Sequence, residues 1–150
     1  MKLSITLLLI FVSCILPAQN QVPNPSSDKI INENYPFNVT ATSECYINKT
    51  GDYTFFSETD FIDFCNANFG LDSKIPFIDF NQETAVIIFN ALKKSTAKLF
   101  VDNVVETEHY IKIYAKTSEP TKDAINNTLR NQYVIVKVKK SNKEIIVVRL

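Results

Sequence analysis

The stretch that decides the fold is Ile-Pro-Phe-Ile-Asp-Phe-Asn-Gln-Glu-Thr-Ala-Val-Ile-Ile-Phe, at positions 75–89. Pro76 restricts the backbone and interrupts whatever precedes it. A polar turn follows at 81–83, and residues 85–89 then form a continuous apolar run that is rich in β-branched side chains. Such a run is typical of a strand that is covered on both faces. We therefore expect this strand, with Ile87 at its centre, to lie in the middle of the core.

A helix is predicted before this stretch, over residues 58–69. Ser57 is a preferred N-cap residue, and Asp60 lies three positions on, where an acid can reach back to the cap. The apolar residues that share one helical face are Phe61, Ile62, Cys65 and Phe69. That face should pack on one side of the central strand. A second layer should cover the other side, and segment 37–47 is the candidate for it.

Other strands are predicted where short extended runs alternate with polar turns. Their ranges are 37–42, 45–47, 53–56, 98–105, 109–116, 133–139 and 144–149. The last two are expected to form a hairpin through the turn at 140–143. Consecutive strands with short connections usually pair antiparallel. The expected fold class is therefore α+β, with a mostly antiparallel sheet of about five or six strands packed against one helix.

The first 18 residues have the features of a secretory signal peptide. Lys2 is followed by an apolar run over residues 3–15, and Ala18 supplies the small residue that a signal peptidase requires. Lipoprotein processing at Cys14 is the alternative, and it would anchor the protein to a membrane. No other segment is long and apolar enough to span a bilayer. The protein is therefore predicted to be exported, as a periplasmic, secreted or envelope-associated protein.

After this leader, the chain is predicted to consist of a linker and one domain. Residues 19–35 are polar and contain two prolines, which is typical of a flexible linker. Residues 36–150 are long enough for a single folded domain. This domain contains Cys45 and Cys65, for which an oxidising compartment favours one disulfide bond. Two separate buried thiols are the alternative.

Composition and the few reactive side chains argue against catalysis. The formal net charge is 0, which argues against nucleic acid or an anionic membrane surface as the main partner. His109 is the only histidine and has no nucleophile motif nearby, so we interpret it as a surface residue. Asp79 and Glu83 could form an acid pair, but a turn-capping role for Asp79 is simpler. The usual zinc-ligand spacings are missing, and no metal, cofactor or catalytic residue is predicted.

One face of the predicted strand 109–116 carries aromatic and basic side chains. Side chains alternate along a strand, so the apolar residues at 111, 113 and 115 should point inward. The residues predicted to point to solvent are Tyr110, Lys112, Tyr114 and Lys116. Such a stripe can stack on bases or sugars. In a neutral, exported protein we interpret it as a solvated face or a possible surface for a protein partner.

Several short motifs follow one another along the chain. They are Phe55-Phe56-Ser57 with Phe61, Ile75 to Phe80 leading into Glu83, Val86 and Ile87, the pair Glu119-Pro120, and the run from Gln132 to Lys139. In this order, and over about residues 53–149, the chain resembles the C-terminal domain of the PrcB family, which is named for a subunit of an outer-membrane protease complex. Residues 95–98 depart from the family, because its members commonly carry a Thr-Gly-Gly-Tyr-like element there.

The resemblance implies an exported, non-catalytic binding or assembly module. Such a module could be an accessory subunit of an envelope protease complex, with an exported protease as its protein partner. The second hypothesis is a small-ligand-binding exported domain that uses a groove beside the helix. The third is a small hydrolase that uses Asp79, Glu83 and His109. The resemblance supplies no catalytic residues, so we expect no enzymatic activity.

Overall fold

The computed structural model describes residues 28–45, 49–69, 75–94, 97–119 and 129–150. These residues form eight strands and one helix. In chain order, the elements are β1 (Ile30–Asn32), β2 (Phe37–Cys45), β3 (Gly51–Phe55), α1 (Glu58–Phe69), β4 (Glu83–Lys94), β5 (Leu99–Thr107), β6 (Tyr110–Thr117), β7 (Leu129–Lys139) and β8 (Glu144–Arg149). The predicted α+β class, with mostly antiparallel strands and one helix, is confirmed for this part of the chain.

The strands divide between two sheets. The outer sheet has the order β1-β5-β6-β8, and the central sheet has the order β2-β7-β4-β3. Neighbouring strands are antiparallel, except for β6 and β8, which are parallel. The prediction of a single sheet is therefore wrong. The physical reason is that β4 and β7 are apolar on both faces, and one helix cannot cover both faces of a sheet.

The space between the two sheets is filled mainly by aliphatic side chains. The central sheet contributes residues of β4 and β7, and the outer sheet contributes residues of β5 and β6. The buried members are Tyr35, Val86, Ile88, Leu99, Val104, Ile111, Ile113, Ala115, Val134, Val136 and Val138. Because side chains alternate along a strand, the intervening residues of the central sheet point to its opposite face.

The helix occupies the predicted range, residues 58–69. The backbone N–H of Asp60 donates to Ser57 Oγ at 3.3 Å, and the Ser57 hydroxyl donates to the Asp60 carboxylate at 2.6 Å. The predicted cap is thus confirmed. The acidic side chains of Glu58 and Asp60 in the first turn also suit the positive end of the helix dipole. In the described part of the chain, the helix is too short and too polar to cross a membrane.

The helix packs on the face of the central sheet that points away from the outer sheet. Phe61 and Cys65 belong to the same buried cluster as Ile87 of β4. The side chains of residues 86–88 are all 0% exposed, so the predicted burial of the central strand on both faces is confirmed. Segment 37–47 does not supply the second layer as expected, because β2 lies in the same sheet as β4. The outer sheet covers that face instead.

The two C-terminal strands do not form the predicted hairpin through residues 140–143. β7 lies in the central sheet and β8 lies beside β6 in the outer sheet, so this connection crosses between the sheets. Ile145 and Val147 of β8 pack against the core between the sheets, which pairing with β7 would not allow. Lys143 holds the crossing in place by donating from Nζ to the Glu106 carboxylate at 2.8 Å.

The predicted flexible linker at 19–35 is wrong at its C-terminal end. β1 pairs antiparallel with β5. Tyr35 is 7% exposed, and its backbone N–H donates to the carbonyl oxygen of Val104 at 3.0 Å. The polar composition of the whole segment concealed these few apolar residues near its end. The predicted signal peptide at 1–18 and the alternative lipid site at Cys14 lie outside the described residues.

Cys65 is a free and buried thiol, which gives no support to the predicted disulfide bond with Cys45, and that bond stays a prediction. Cys45 ends β2, and its side chain is not among those described. Burial raises the pKa of the Cys65 thiol to about 11, so the thiol stays neutral and unreactive.

Candidate functional site

The segment at 75–80 lies beside α1 and forms a groove with it. Pro76 lacks a backbone N–H, and the segment is not part of a strand. Ile78 is 5% exposed, whereas its neighbour Phe77 is 82% exposed. We call this cavity the apolar groove; its volume is about 220 Å³, and it is lined by Glu58, Phe61, Ile62, Ile75, Pro76, Phe77, Ile78 and Phe80.

The turn at 79–83 joins this segment to the central sheet. The side-chain carboxylate of Asp79 accepts from the backbone N–H of Asn81 at 3.0 Å. The backbone carbonyl oxygen of Asp79 accepts from the N–H groups of Gln82 and Glu83. The Glu83 carboxylate accepts in return from the Asp79 N–H at 3.2 Å. The predicted turn-capping role of Asp79 is confirmed. Both carboxylates are occupied by hydrogen bonds that stabilise the turn.

A second and larger groove opens next to this turn. Its volume is about 570 Å³, and it is lined by Pro36, Phe37, Asn38, Asn81, Gln82, Glu83, Lys137, Lys139 and Lys140. We call it the lysine groove. Lys137 Nζ lies 3.0 Å from the Glu83 carboxylate, and Lys140 Nζ donates to the carbonyl oxygen of Phe80 at 2.8 Å. Lys137 and Lys139 are two positions apart on β7 and therefore share one face of the strand.

His109 lies at the turn between β5 and β6, where it meets Asp28. Its Nδ1 is 2.6 Å from Asp28 Oδ1, and its backbone N–H donates to Asp28 Oδ2 at 3.3 Å. The ligand atoms of Asp28, Glu108 and His109 all lie within 4.8 Å of one another, so this group has donor atoms of the kind that bind divalent cations. The sequence did not reveal Asp28, because it is distant from His109 in the chain and belongs to no motif with it.

The Asp28 carboxylate contributes to stability in a pH-dependent way. Desolvation raises the pKa of Asp28, but hydrogen bonds from Thr107 and His109 outweigh it and lower the pKa from the ordinary 3.8 to about 2. Because the pKa is lower in the folded state, the contribution is complete above pH ~4 and is lost as the pH falls toward ~2. We expect Asp28→Asn to lack this part of the decrease in the free energy of unfolding between pH ~4 and ~2. Urea unfolding of the wild type and of the variant across that pH range measures the difference.

Asp63→Asn is the matched control for this measurement. Asp63 is an exposed carboxylate on α1, so its replacement removes the same charge without touching the contacts of His109. Its free energy of unfolding should fall with the pH as that of the wild type does. An Asp28→Asn curve that runs parallel to the wild-type curve would show that the pair with His109 does not stabilise the fold.

The predicted solvent exposure is wrong for two of the four residues of the candidate partner surface on β6, and a partner surface at the other two stays a prediction. Tyr110 is 5% exposed and Lys112 is 7% exposed, while Tyr114 and Lys116 are half-buried. β6 is flanked by β5 and β8, and paired apolar side chains lie on both sides of Lys112. A lysine stem can be covered in this way by its neighbours. The alternation of apolar and polar residues correctly predicted which side chains of β6 point inward. It did not reveal that side chains on the other face are also covered.

Asp79, Glu83 and His109 are not assembled into one group. The hydrogen bonds of His109 run to Asp28, whereas those of Asp79 and Glu83 run within their own turn and to Lys137. Among the described residues, the two acids share no partner with the histidine. A hydrolytic mechanism that needs all three side chains at one reacting atom has no support from this geometry.

Comparison with models of protein families gives no match for this chain. Comparisons with curated proteins and with solved structures give no match either. The resemblance to the PrcB family therefore stays a prediction. The candidate functions rest on the two grooves and on the residues that line them.

Proposed function

We propose that this protein is a non-catalytic binding module that holds a partner protein at the apolar groove. The observation that carries the proposal is the position of Phe77, which is 82% exposed at the rim of a groove lined by Phe61, Ile62 and Ile78. A single exposed phenylalanine needs no explanation. Beside a groove whose lining is mostly apolar, however, it adds exposed apolar area that a partner can cover, and apolar patches of this kind mark interaction sites.

The backbone on both sides of Phe77 is fixed before any partner binds. Pro76 on one side has a restricted backbone, and Ile78 on the other side is buried in the cluster that includes α1. The N–H of Asp79 is bonded to the Glu83 carboxylate. An anchor between fixed neighbours loses little conformational freedom on binding. Aromatic side chains held in this way often dominate the binding energy of protein interfaces.

The finer proposal is that the partner belongs to an exported protease complex. Its support is the resemblance to the PrcB family, because the most specific motif of that resemblance, the Pro-x-Ile-Asp-Phe piece at 76–80, includes four residues that line the apolar groove. The signal-peptide features at 1–18 also support it. The protein would then serve as an accessory subunit that supplies no catalytic residue.

The size of the apolar groove favours a protein partner over a small ligand. Its volume of about 220 Å³ is below the range of about 300–1,000 Å³ in which pockets enclose small ligands. A groove of this size accommodates a side chain that projects from a partner surface. Binding of a small ligand in this groove is therefore the second candidate function.

Photo-cross-linking at position 77 tests the proposed function. Benzoylphenylalanine in place of Phe77 should form a defined adduct with one protein in the cells that produce this chain, and mass spectrometry identifies that protein. The matched control is the same replacement of Phe100, which is 39% exposed on β5 of the outer sheet. Equal adducts at the two positions, or none at position 77, would contradict the proposal.

Phe77→Ala is expected to weaken binding of the protein so identified by at least about thirtyfold, the effect of losing an interface anchor. The free energy of unfolding should change by less than ~0.5 kcal/mol, because the side chain is exposed. Phe56→Ala is the control, since Phe56 is 55% exposed but does not line the groove. Titration calorimetry and urea unfolding measure the two effects, and an unchanged affinity of Phe77→Ala would exclude Phe77 as the anchor.

A further inference from the structure

We propose that the lysine groove binds an acidic, extended segment of a partner protein. The groove lies at the end of the central sheet, where residues of β2, β7 and β4 meet the turn at 79–83. It is a different surface from the apolar groove, and the proposal does not depend on whether Phe77 has a partner. Three features of the groove support an acidic, extended occupant: its excess of positive charge, the fixed positions of its lysines and its length.

The charges that line the groove do not balance. Lys137, Lys139 and Lys140 face a single carboxylate, that of Glu83. Lys137 pairs with Glu83 at 3.0 Å, so one of the three ammonium groups is neutralised. The nearby Asp79 carboxylate does not line the groove, but it keeps its negative charge, because the hydrogen bonds that it accepts come from the neutral amides of Asn81 and Gln82. Among the residues that line the groove, positive charges exceed negative charges by two, in a protein whose formal net charge is 0.

The ammonium group of Lys140 is oriented by a hydrogen bond to an uncharged backbone carbonyl, which leaves its positive charge available to an anion. Its Nζ donates to the carbonyl oxygen of Phe80 at 2.8 Å, and its backbone N–H donates to the carbonyl oxygen of Gln82 at 2.7 Å. A carbonyl oxygen fixes the ammonium group without cancelling its charge, and two N–H donors remain for a carboxylate. A charged donor that is already ordered binds an anion at a lower entropic cost.

Two hydrogen bonds fix the backbone of Lys139, the residue before Lys140. Its N–H donates to the carbonyl oxygen of Pro36 at 3.3 Å, and its carbonyl oxygen accepts from the Tyr35 hydroxyl at 3.2 Å. Its side chain is exposed. Asn38 and Gln82 add amide groups to the lining of the groove. The site thus combines two cations that have no carboxylate partner among the lining residues with neutral side chains that can donate hydrogen bonds.

The shape of the groove favours an extended segment over a single small anion. The groove crosses three adjacent strands, which span about two strand spacings or ~10 Å. An extended peptide advances by about 3.3 Å per residue, so about three residues cover that length. Neighbouring acidic side chains of such a segment have Lys139 and Lys140 as their partners.

Binding of a model peptide tests the proposal. The probe is a peptide of eight glutamates with blocked ends, and a peptide of eight glutamines is its neutral counterpart. We expect the glutamate peptide to bind and the glutamine peptide not to bind in fluorescence-anisotropy titrations at low salt. Raising the salt concentration from about 20 to about 300 mM should weaken binding severalfold, because the contacting charges are exposed.

Two double variants with the same net charge decide whether the groove is the site. Lys139→Gln with Lys140→Gln should weaken binding about tenfold, the loss of two exposed charge pairs at the strong end of their range. Lys29→Gln with Lys98→Gln removes two exposed lysines elsewhere and should leave the affinity unchanged. Phe77→Ala should also leave it unchanged, which separates this test from that of the apolar groove.

Three results would overturn the proposal. The first is a glutamate peptide that does not bind the wild type. The second is an equal loss of affinity in the two double variants, which would indicate non-specific attraction. The third is displacement of the peptide by succinate or inorganic phosphate at the peptide's own concentration, which would make the site one for small anions. Unchanged melting temperatures of the variants are required in each comparison.

Discussion

Ile87→Asp is expected to leave the protein unfolded. Ile87 is 0% exposed, and it pairs with Tyr53 of β3 and Ile135 of β7 in the middle of the central sheet. A carboxylate in this position would be buried without a partner, at a cost of several kcal/mol. The total stability of a domain of this size is about 5–15 kcal/mol, so most or all of it would be lost. Circular dichroism and urea unfolding measure the result.

Ile87→Val is the graded control at the same position. It removes one methylene group and leaves no charge, so it should lower the free energy of unfolding by about 0.5–1.5 kcal/mol without changing the fold. An Ile87→Asp protein that unfolds cooperatively near the wild-type urea midpoint would mean that Ile87 does not lie in the core. The two-sided burial of β4 would then be incorrect.

Phe61→Ala should have the second largest effect on stability. Phe61 is 1% exposed and packs against Phe55 and Phe80, with ring centroids 5.6 and 5.8 Å away. Loss of the ring leaves a cavity between α1 and the central sheet and should cost about 3–5 kcal/mol. The urea midpoint measures this loss.

Phe56→Ala serves as the control for that substitution as well. Phe56 is 55% exposed immediately before the helix, so the same truncation should change the free energy of unfolding by less than ~0.5 kcal/mol. Similar losses for the two variants would show that the helix is not held to the sheet through Phe61.

The elements that could be predicted from the sequence are those that depend on neighbouring residues. The helix was predicted because Ser57 and Asp60 form a cap within one turn and because apolar residues recur at helical spacing. The central strand was predicted because the run at 85–89 is apolar without interruption. Both signals lie within a few residues of the chain, so no knowledge of distant contacts was needed.

The arrangement of the sheets could not be predicted because it depends on residues that are distant in the chain. The polar segment at 140–143 has the composition of a hairpin turn, and nothing in it reveals a crossing between two sheets. The deciding contacts are those of Ile145 and Val147 with the core between the sheets. The same holds for Asp28 and His109, whose pairing depends on β1 lying beside β5.

The candidate site was only partly visible in the sequence. The stretch at 75–80 begins the segment that decides the fold, but five of its six side chains are apolar, so their order follows neither a strand nor a helix period. Only the position of α1 determines that Ile78 is covered and Phe77 is not. The lysine groove needs β7 and the turn at 79–83 to meet, which no local pattern indicates.

The outer sheet has a consequence for the order in which the protein acquires its structure. β5 and β6 are joined by a short turn and can pair early, since little loop entropy is lost. β8 covers the edge of β6, and β1 covers the C-terminal end of the β5 edge; both strands lie far away along the chain. Long-range closures of this kind are slow, and until they occur the hairpin presents two open edges to other chains. We therefore expect the extent of aggregation during refolding to depend on how fast β1 pairs with β5 and β8 pairs with β6.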